Sequence, residues 1–247
     1  MSKLISAIKK IRGGFCSCVV VAAGSSSRMG TDKLFADICG KPAIYRTLFA
    51  LNSCESINEI VVVTSENNLE KMADLISGNF SKVGKVIIGG RTRLESSLKG
   101  VMESSSNADV IMIHDGARPL VSPELCERVI HEARLSHAAV PAIPVSDTVK
   151  IVKEGVITET PDRSTLFAIQ TPQCFETDII KAALTAAVKN GLSVTDDASA
   201  VEALGVMPRV VQGSTSNIKL TVPDDLPKVR TLFEIIGKDS GKEGTET

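Results

Sequence analysis

Little in this sequence is lopsided. Lysines and arginines number 28 against 29 acidic residues, a net charge of −1, so no general positive field draws the chain to nucleic acid or to an anionic membrane. Any anion site must be a local cluster. No apolar run approaches the roughly 18 residues of a membrane span, and the first residues carry no apolar segment ending in a small-residue cleavage site. The six cysteines (Cys16, Cys18, Cys39, Cys54, Cys126, Cys174) include no Cys-x-x-Cys pair, and no histidine stands at zinc-ligand spacing. That argues against a zinc finger or a dithiol redox motif. Reduced, mostly structural thiols fit a cytosolic setting, and the chain is expected to be soluble and cytoplasmic. There is no G-x-S-x-G elbow for a serine hydrolase. His131 and His137, on an expected helix, read as solvent-facing, and Cys16 and Cys18 as packing residues.

What is present is a hydrophobic content of 43% over 247 residues, enough for one large domain with a substantial core. Apolar runs such as "CSCVVVAA", "INEIVVVTS", "KVIIGG" and "ADVIMIHD" alternate with helix-like stretches such as "PAIYRTLFALNSC", "NNLEKMADLISG", "RTRLESSLKGVMES" and "SPELCERVIHEARLS". Continuous rather than alternating apolar strands suit a mainly parallel sheet covered on both faces, an α/β doubly wound arrangement. Pro42, Ser122-Pro123 with Glu124, and Asn67 or Asn68 ahead of Glu70 mark helix starts.

After Ala138 the pattern changes. "TVKIV" and "VITET", joined by Lys153-Glu154-Gly155, predict a β-hairpin arm over about residues 145–166. A two-stranded arm is marginal alone in water, so it needs a surface to pack on, either a second subunit or its own sheet. Helices "ETDIIKAALTAAVKNG" and "TDDASAVEALG" and a strand "MPRVVQG" follow. The organisation expected is a basic extension over 1–14, whose Leu4, Ile5, Ile8 and Ile11 stand at helical spacing, one domain over 15–236, and a flexible polar tail over 237–247.

Candidate chemistry gathers at strand ends. In "VVVAAGSSSRMGTDKL" an apolar strand breaks into Ala22-Ala23-Gly24, where small residues let backbone N–H groups approach a phosphate. The spacing is neither the dinucleotide G-x-G-x-x-G nor the P-loop, and Gly24 and Gly30 alone also suit an ordinary turn. Arg28 and Lys33 add two cations that could balance a triphosphate and the charge that develops when its α-phosphorus is attacked. "IMIHDGARP" ends a strand with His114, Asp115 and Arg118; the carboxylate suits a hydroxyl or a magnesium ion, the guanidinium a phosphate. "VSDTVK" puts Asp147 and Thr148 before the arm, and "SNIKLT" puts Lys219 inside an expected apolar strand. Each has an ordinary reading as an ion pair or cap. Their joint presence on one scaffold favours an anion-handling site.

In this order, "AAGSSSRMGTDKLF", "IIGGRTRLESS", "HDGARPLV", "PVSDTVK", "TPQCF", "TDDASAVEALG" and "NIKLTVPDDL" resemble the 2-C-methyl-D-erythritol 4-phosphate cytidylyltransferases over about residues 17–236. The first motif is shared with many nucleotidyltransferases, including molybdopterin guanylyltransferase; its combination with "HDGARP", "TPQ" and "NIKLT" is far more specific. The resemblance implies a Rossmann-like nucleotidyltransferase fold and a Mg²⁺-dependent transfer of CMP from CTP to methylerythritol phosphate, with release of pyrophosphate, in non-mevalonate isoprenoid synthesis. It implies that Arg28 and Lys33 stabilise the transition state and that Ala22, Ala23, Gly24, Gly90, Arg93, Ser96 and Gly116 line the CTP site. It also implies that Asp115, Arg118, Thr148, Thr195 and Lys219 contact the sugar phosphate, with Arg163 reaching over from a partner subunit in a homodimer joined through the arm. Two departures accompany it: the segment between Arg28 and Lys33 is a residue or two shorter than in many relatives, and Gly116 stands where alanine is usual. The nearest rival is a ribitol 5-phosphate cytidylyltransferase, which shares the CTP loop and the "TPQ" and "NIK" motifs. A non-catalytic nucleotide-binding protein has no need of the Arg28 and Lys33 clamp.

Overall fold

The computed structural model describes residues 14–24 and 32–240. At its centre β1 (Cys16–Ala22) runs parallel to β4 (Glu59–Thr64) on one side and to β6 (Val110–Asp115) on the other, and β5 (Val83–Ile88) extends the parallel half beyond β4. All four are the apolar runs read from the sequence. Beyond β6 lie β11 (Gln173–Glu176), β7 (Ala138–Pro144) and β10 (Phe167–Ile169), paired antiparallel, while β12 (Arg209–Gln212) joins the other edge of β7 in parallel. A minor hairpin, β2 (Asp37–Ile38) with β3 (Lys41–Pro42), precedes the first helix.

Successive side chains of β1 serve two cores, as a strand period of two requires. Cys16, Cys18, Val20 and Ala22 pack under α1 (Ala43–Ser53), α2 (Leu69–Ile76), α4 (Pro123–Ser136) and the C-terminal helix α7 (Asp225–Ser240). Val19 faces α3 (Arg93–Glu103), α5 (Thr177–Lys189) and α6 (Asp197–Glu202) on the opposite side. Gly100 lets α3 lie close against this face, because a Cβ there would press into Val19 and Val63. Among the described residues no helix is long and apolar enough to cross a membrane.

Several elements differ from expectation. The run "AAVPAIP" forms β7 despite Pro141 and Pro144: the Pro141 carbonyl still accepts from Gln170 N at 2.8 Å, and neighbours on both edges complete the ladder. Lys219 is not in a strand. Residues 217–221 form no ladder and are fastened by single bonds such as Leu220 N to the Ala117 carbonyl at 2.8 Å. His137 lies just past α4 as its left-handed cap, with φ 72°, rather than on the helix. The helix α7 runs to Ser240, past the expected domain boundary at 236.

The arm is present as β8 (Ile151–Lys153) and β9 (Val156–Glu159), joined by a two-residue turn in which Glu154 and Gly155 both take positive φ, 51° and 79°. Every residue of both strands is exposed within the single chain. The N-terminal extension before Gly14, the tail beyond Ser240, Arg28 and Gly30 lie outside the described residues.

Candidate active site

The parallel register brings Val21 of β1 beside Asp115 of β6, so both strands deliver their carboxyl ends to one place. A cavity of about 390 Å³ opens there. Ala22, Ala23 and Gly24 line it where β1 gives way to its loop, Gly90, Arg93 and Ser96 come from the start of α3, and Lys33, Asp115 and Lys219 complete the set of sequence-predicted residues in its wall. The α3 side is shaped by local hydrogen bonds. Thr92 caps the helix by accepting from Glu95 N at 3.0 Å, and Ser96 Oγ accepts from Gly90 N at 3.0 Å while donating to the Thr92 carbonyl at 2.9 Å. The Gly90 backbone is thereby folded against the helix start, and Arg93 is turned inward.

Asp115 is the electrostatic centre. Its Oδ2 lies 2.7 Å from Lys219 Nζ and 3.7 Å from Arg118 Nε, and its Oδ1 lies 3.3 Å from Arg93 Nη2. Burial would push this carboxyl upward, but the Arg93 guanidinium, followed by Lys219, outweighs it and holds the group well below the usual carboxylate range. Arg93 in turn reaches Asp197 Oδ2 at 2.8 Å. Burial opposes its charge as well, yet Asp197 and then Asp115 hold the guanidinium above its ordinary value. The outcome is a network of ion pairs facing an open cavity, suited to exchanging internal pairs for contacts with a polyanion.

Behind Asp115 stands a buried polar support. Asp115 N donates to Thr171 Oγ1 at 3.1 Å, and that oxygen lies 3.1 Å from His114 Nδ1. His114 Nε2 faces the Arg118 carbonyl at 3.4 Å, and burial pulls the imidazole down to about 4, so it is neutral at pH 7. Asn217 donates to the Thr171 carbonyl at 2.8 Å, and its own carbonyl accepts from Arg118 Nη1 at 2.7 Å. Arg118 is therefore engaged in holding the Lys219 segment and is not part of the cavity wall. Gly116 is not there either: its N–H donates to the Val21 carbonyl at 3.0 Å, and a Cβ would stand 2.9 Å from Ile44 Cδ1 and 3.2 Å from Ala22 Cβ. It brings β1 and β6 close.

Three other predicted residues sit apart. Thr148 is exposed ahead of β8, and Arg163 is exposed with Nη1 donating to the Ser146 carbonyl at 2.7 Å. Thr195 is exposed, its Oγ1 3.1 Å from Ser199 Oγ before α6. None of the three is in the cavity wall. Asp197, Thr171 and Asn217, all buried and polar, also belong to this network and are not among the residues expected above. Their signal was the polar side chains inside "TDDAS", "TPQ" and "SNIK", motifs that carry the family likeness as blocks rather than residue by residue.

Comparison with known proteins gives the family of this chain. The family model for 2-C-methyl-D-erythritol 4-phosphate cytidylyltransferase (IspD) matches residues 16–234. A protein of that name from Dehalococcoides mccartyi is 41% identical over 219 residues, covering 87% of this chain and 95% of its own length. Its counterpart from Caldanaerobacter subterraneus subsp. tengcongensis is 40% identical over 215 residues, covering 85% and 95%. Among solved structures, 4-diphosphocytidyl-2C-methyl-D-erythritol synthase from Anaerococcus prevotii superposes with a TM-score of 0.82 at 28% identity, covering 91% of this chain and 98% of that one. The cytidylyltransferase from Thermus thermophilus gives 0.73 at 30% identity, covering 87% and 98%. With the family model spanning nearly the whole described chain, this protein belongs to the 2-C-methyl-D-erythritol 4-phosphate cytidylyltransferase family.

Proposed function

We propose that the cavity at the carboxyl ends of β1 and β6 is where this chain transfers CMP from CTP to 2-C-methyl-D-erythritol 4-phosphate, forming 4-diphosphocytidyl-2-C-methyl-D-erythritol and pyrophosphate. The observation that carries the assignment is Asp115, ionised and bracketed by Arg93, Lys219 and Arg118, beside the small-residue end of β1. An oxygen of the sugar monophosphate attacks the α-phosphorus of CTP; that P–O bond forms as the α–β bridging P–O bond breaks, and pyrophosphate leaves with the electron pair. The nucleophile is already ionised near pH 7, so no side chain need deprotonate it. The protein's task is to bring two anions together and neutralise the charge that develops.

On this reading Ala22, Ala23, Gly24, Gly90, Arg93 and Ser96 hold CTP, and Arg28 and Lys33 flank the α-phosphorus. Asp115 takes a sugar hydroxyl, while Lys219, Thr148, Thr195 and a partner's copy of the arm residue Arg163 take the acceptor. Arg118 acts through Asp115 and the Asn217 carbonyl, and Gly116 by close packing. The donor set does not fit a protein-held Mg²⁺: among the described residues no group of three or more candidate ligands forms, and the Asp115 carboxylate is already covered by cations. Mg²⁺ then belongs to the triphosphate that enters as substrate.

Pairing of two copies through the arm is supported by the exposed apolar side chains Val152, Val156 and Ile157, together with Phe167 and Ile169 of β10. A cytoplasmic setting is in keeping with six cysteines that are all free thiols. The deciding experiment is pyrophosphate release with CTP and Mg²⁺ in the presence of methylerythritol phosphate, ribitol 5-phosphate or no acceptor. Release with methylerythritol phosphate alone is expected; faster turnover of ribitol phosphate would overturn the acceptor, and silence in all three would overturn the site.

A further inference from the structure

Arg93 is held from two sides, and the two carboxylates are not equivalent. Asp115 is shared with Lys219 and Arg118, whereas among the described residues Asp197 forms an ion pair with Arg93 alone. The Asp197 contact is also the shorter, 2.8 Å against 3.3 Å, and Asp197 is only 1% exposed. Among the described residues its other oxygen, Oδ1, is buried without a hydrogen-bond partner. The carboxylate is delivered by a braced helix end. Asp196 caps α6 by accepting from Ser199 N at 2.9 Å and takes a second bond from Gln173 Nε2 at 2.8 Å, while Gln173 Oε1 accepts from Ala198 N at 3.0 Å. The cap and the brace are complete without Asp197. A buried carboxylate with one bare oxygen is an unfavourable way to fill this space, and an apolar side chain would avoid that penalty.

We propose that Asp197 is a positioning residue for cytidylyl transfer, fixing the Arg93 guanidinium over the cavity so that it meets the triphosphate instead of collapsing onto Asp115. The inference rests on the reading of Arg93 as a CTP-site residue. Charge balance favours the same role. Arg93, Arg118 and Lys219 against Asp115 and Asp197 leave one net positive charge, and without Asp197 the three cations would share one carboxylate. Arg93, the cation whose second anchor had gone, would be drawn fully onto Asp115 or out to solvent. The two acids thus divide the work: Asp115 gathers the cations, and Asp197 keeps one of them from being spent internally.

The test is a double-mutant cycle on the full chain, read as KM for CTP, KM for the sugar phosphate and kcat. Arg93→Gln is expected to raise the CTP KM by about tenfold or more. Asp197→Asn, nearly isosteric, is expected to raise it comparably while leaving the sugar-phosphate KM within about twofold, a split that a loss of folded protein would not produce. The double variant should be no worse than Arg93→Gln alone, since Asp197 acts only through that guanidinium. If Asp197→Asn does not fold, the double variant, which buries no unpaired charge, still gives the comparison with Arg93→Gln. A CTP KM in Asp197→Asn within about twofold of the unaltered enzyme, or a double variant whose effect exceeds that of Arg93→Gln, would overturn the inference. An unaltered CTP KM in Arg93→Gln itself would instead overturn the underlying assignment of Arg93.

Discussion

Lys219 Nζ lies 2.7 Å from Asp115 Oδ2, joining the end of β6 to a segment without secondary structure near the end of the chain. The contact places a cation in the wall of the cavity on a residue that no helix or strand supports. Its position depends instead on Asn217, whose carbonyl is gripped by Arg118, and on Leu220, whose N–H is tied to Ala117.

Lys219→Ala should therefore act on substrate rather than on stability. Half-exposed and replaceable around Asp115 by Arg93 and Arg118, it contributes little to folding. We expect the KM for the sugar phosphate to rise and kcat to fall, with kcat/KM down about 100-fold. Steady-state kinetics alongside a thermal melt will separate the two effects.

Lys33 lines the same cavity. Lys33→Ala should lower kcat by about 10²-fold or more, the loss associated with one transition-state donor, with Tm almost unchanged. Arg28→Ala should behave likewise. A variant retaining near-full kcat would remove that residue from the clamp.

His114 offers a pH test that needs no substrate. Its folded value of about 4 lies below the unfolded value near 6.5, so between these limits the unfolded chain binds the extra proton. The contribution to stability is fully present above about pH 6.5 and is lost as pH falls towards 4, on the order of 3 kcal/mol in all. Chemical denaturation at about pH 7 and about pH 4.5 should show a smaller loss in His114→Gln than in the unaltered protein.

Gly100→Ala separates packing from catalysis. The added methyl would meet Val19 and Val63 where α3 rests on the sheet, and stability should fall by about 1–3 kcal/mol. Because the clash lies on the buried face away from the cavity wall, kcat at a permissive temperature should stay within about twofold.

The arm predicts an assembly phenotype. Val156→Asp with Ile157→Asp places two charges on a hairpin strand whose residues are all exposed, and should shift the proposed arm-paired dimer to monomer in sedimentation experiments. If the partner's Arg163 serves the acceptor site, activity will fall with the monomer fraction. Full activity in a monomer would remove Arg163 from the site.

Local chemistry made much of this protein legible in advance. Uninterrupted β-branched runs reported β1, β4 and β6 because strands buried on both faces leave no room for alternation. Ser122 with Pro123 announced α4 because cap and fixed φ act within one turn. The ordered motifs also pointed to the Ala22 loop, Arg93, Asp115 and Lys219, which the fold brings to one cavity. Other features were decided only in three dimensions. β7 forms through two prolines because strands on both of its edges pair with it, and no local pattern records that. That Gly116 has no room for a side chain is decided by Ile44 and Ala22, which stand against it from elsewhere in the chain. Asp197 carries no periodic signal at all. Its partner lies on α3, its brace on β11 and its shared guanidinium reaches β6, so its meaning depends on contacts between residues far apart in the chain, which composition and spacing do not encode.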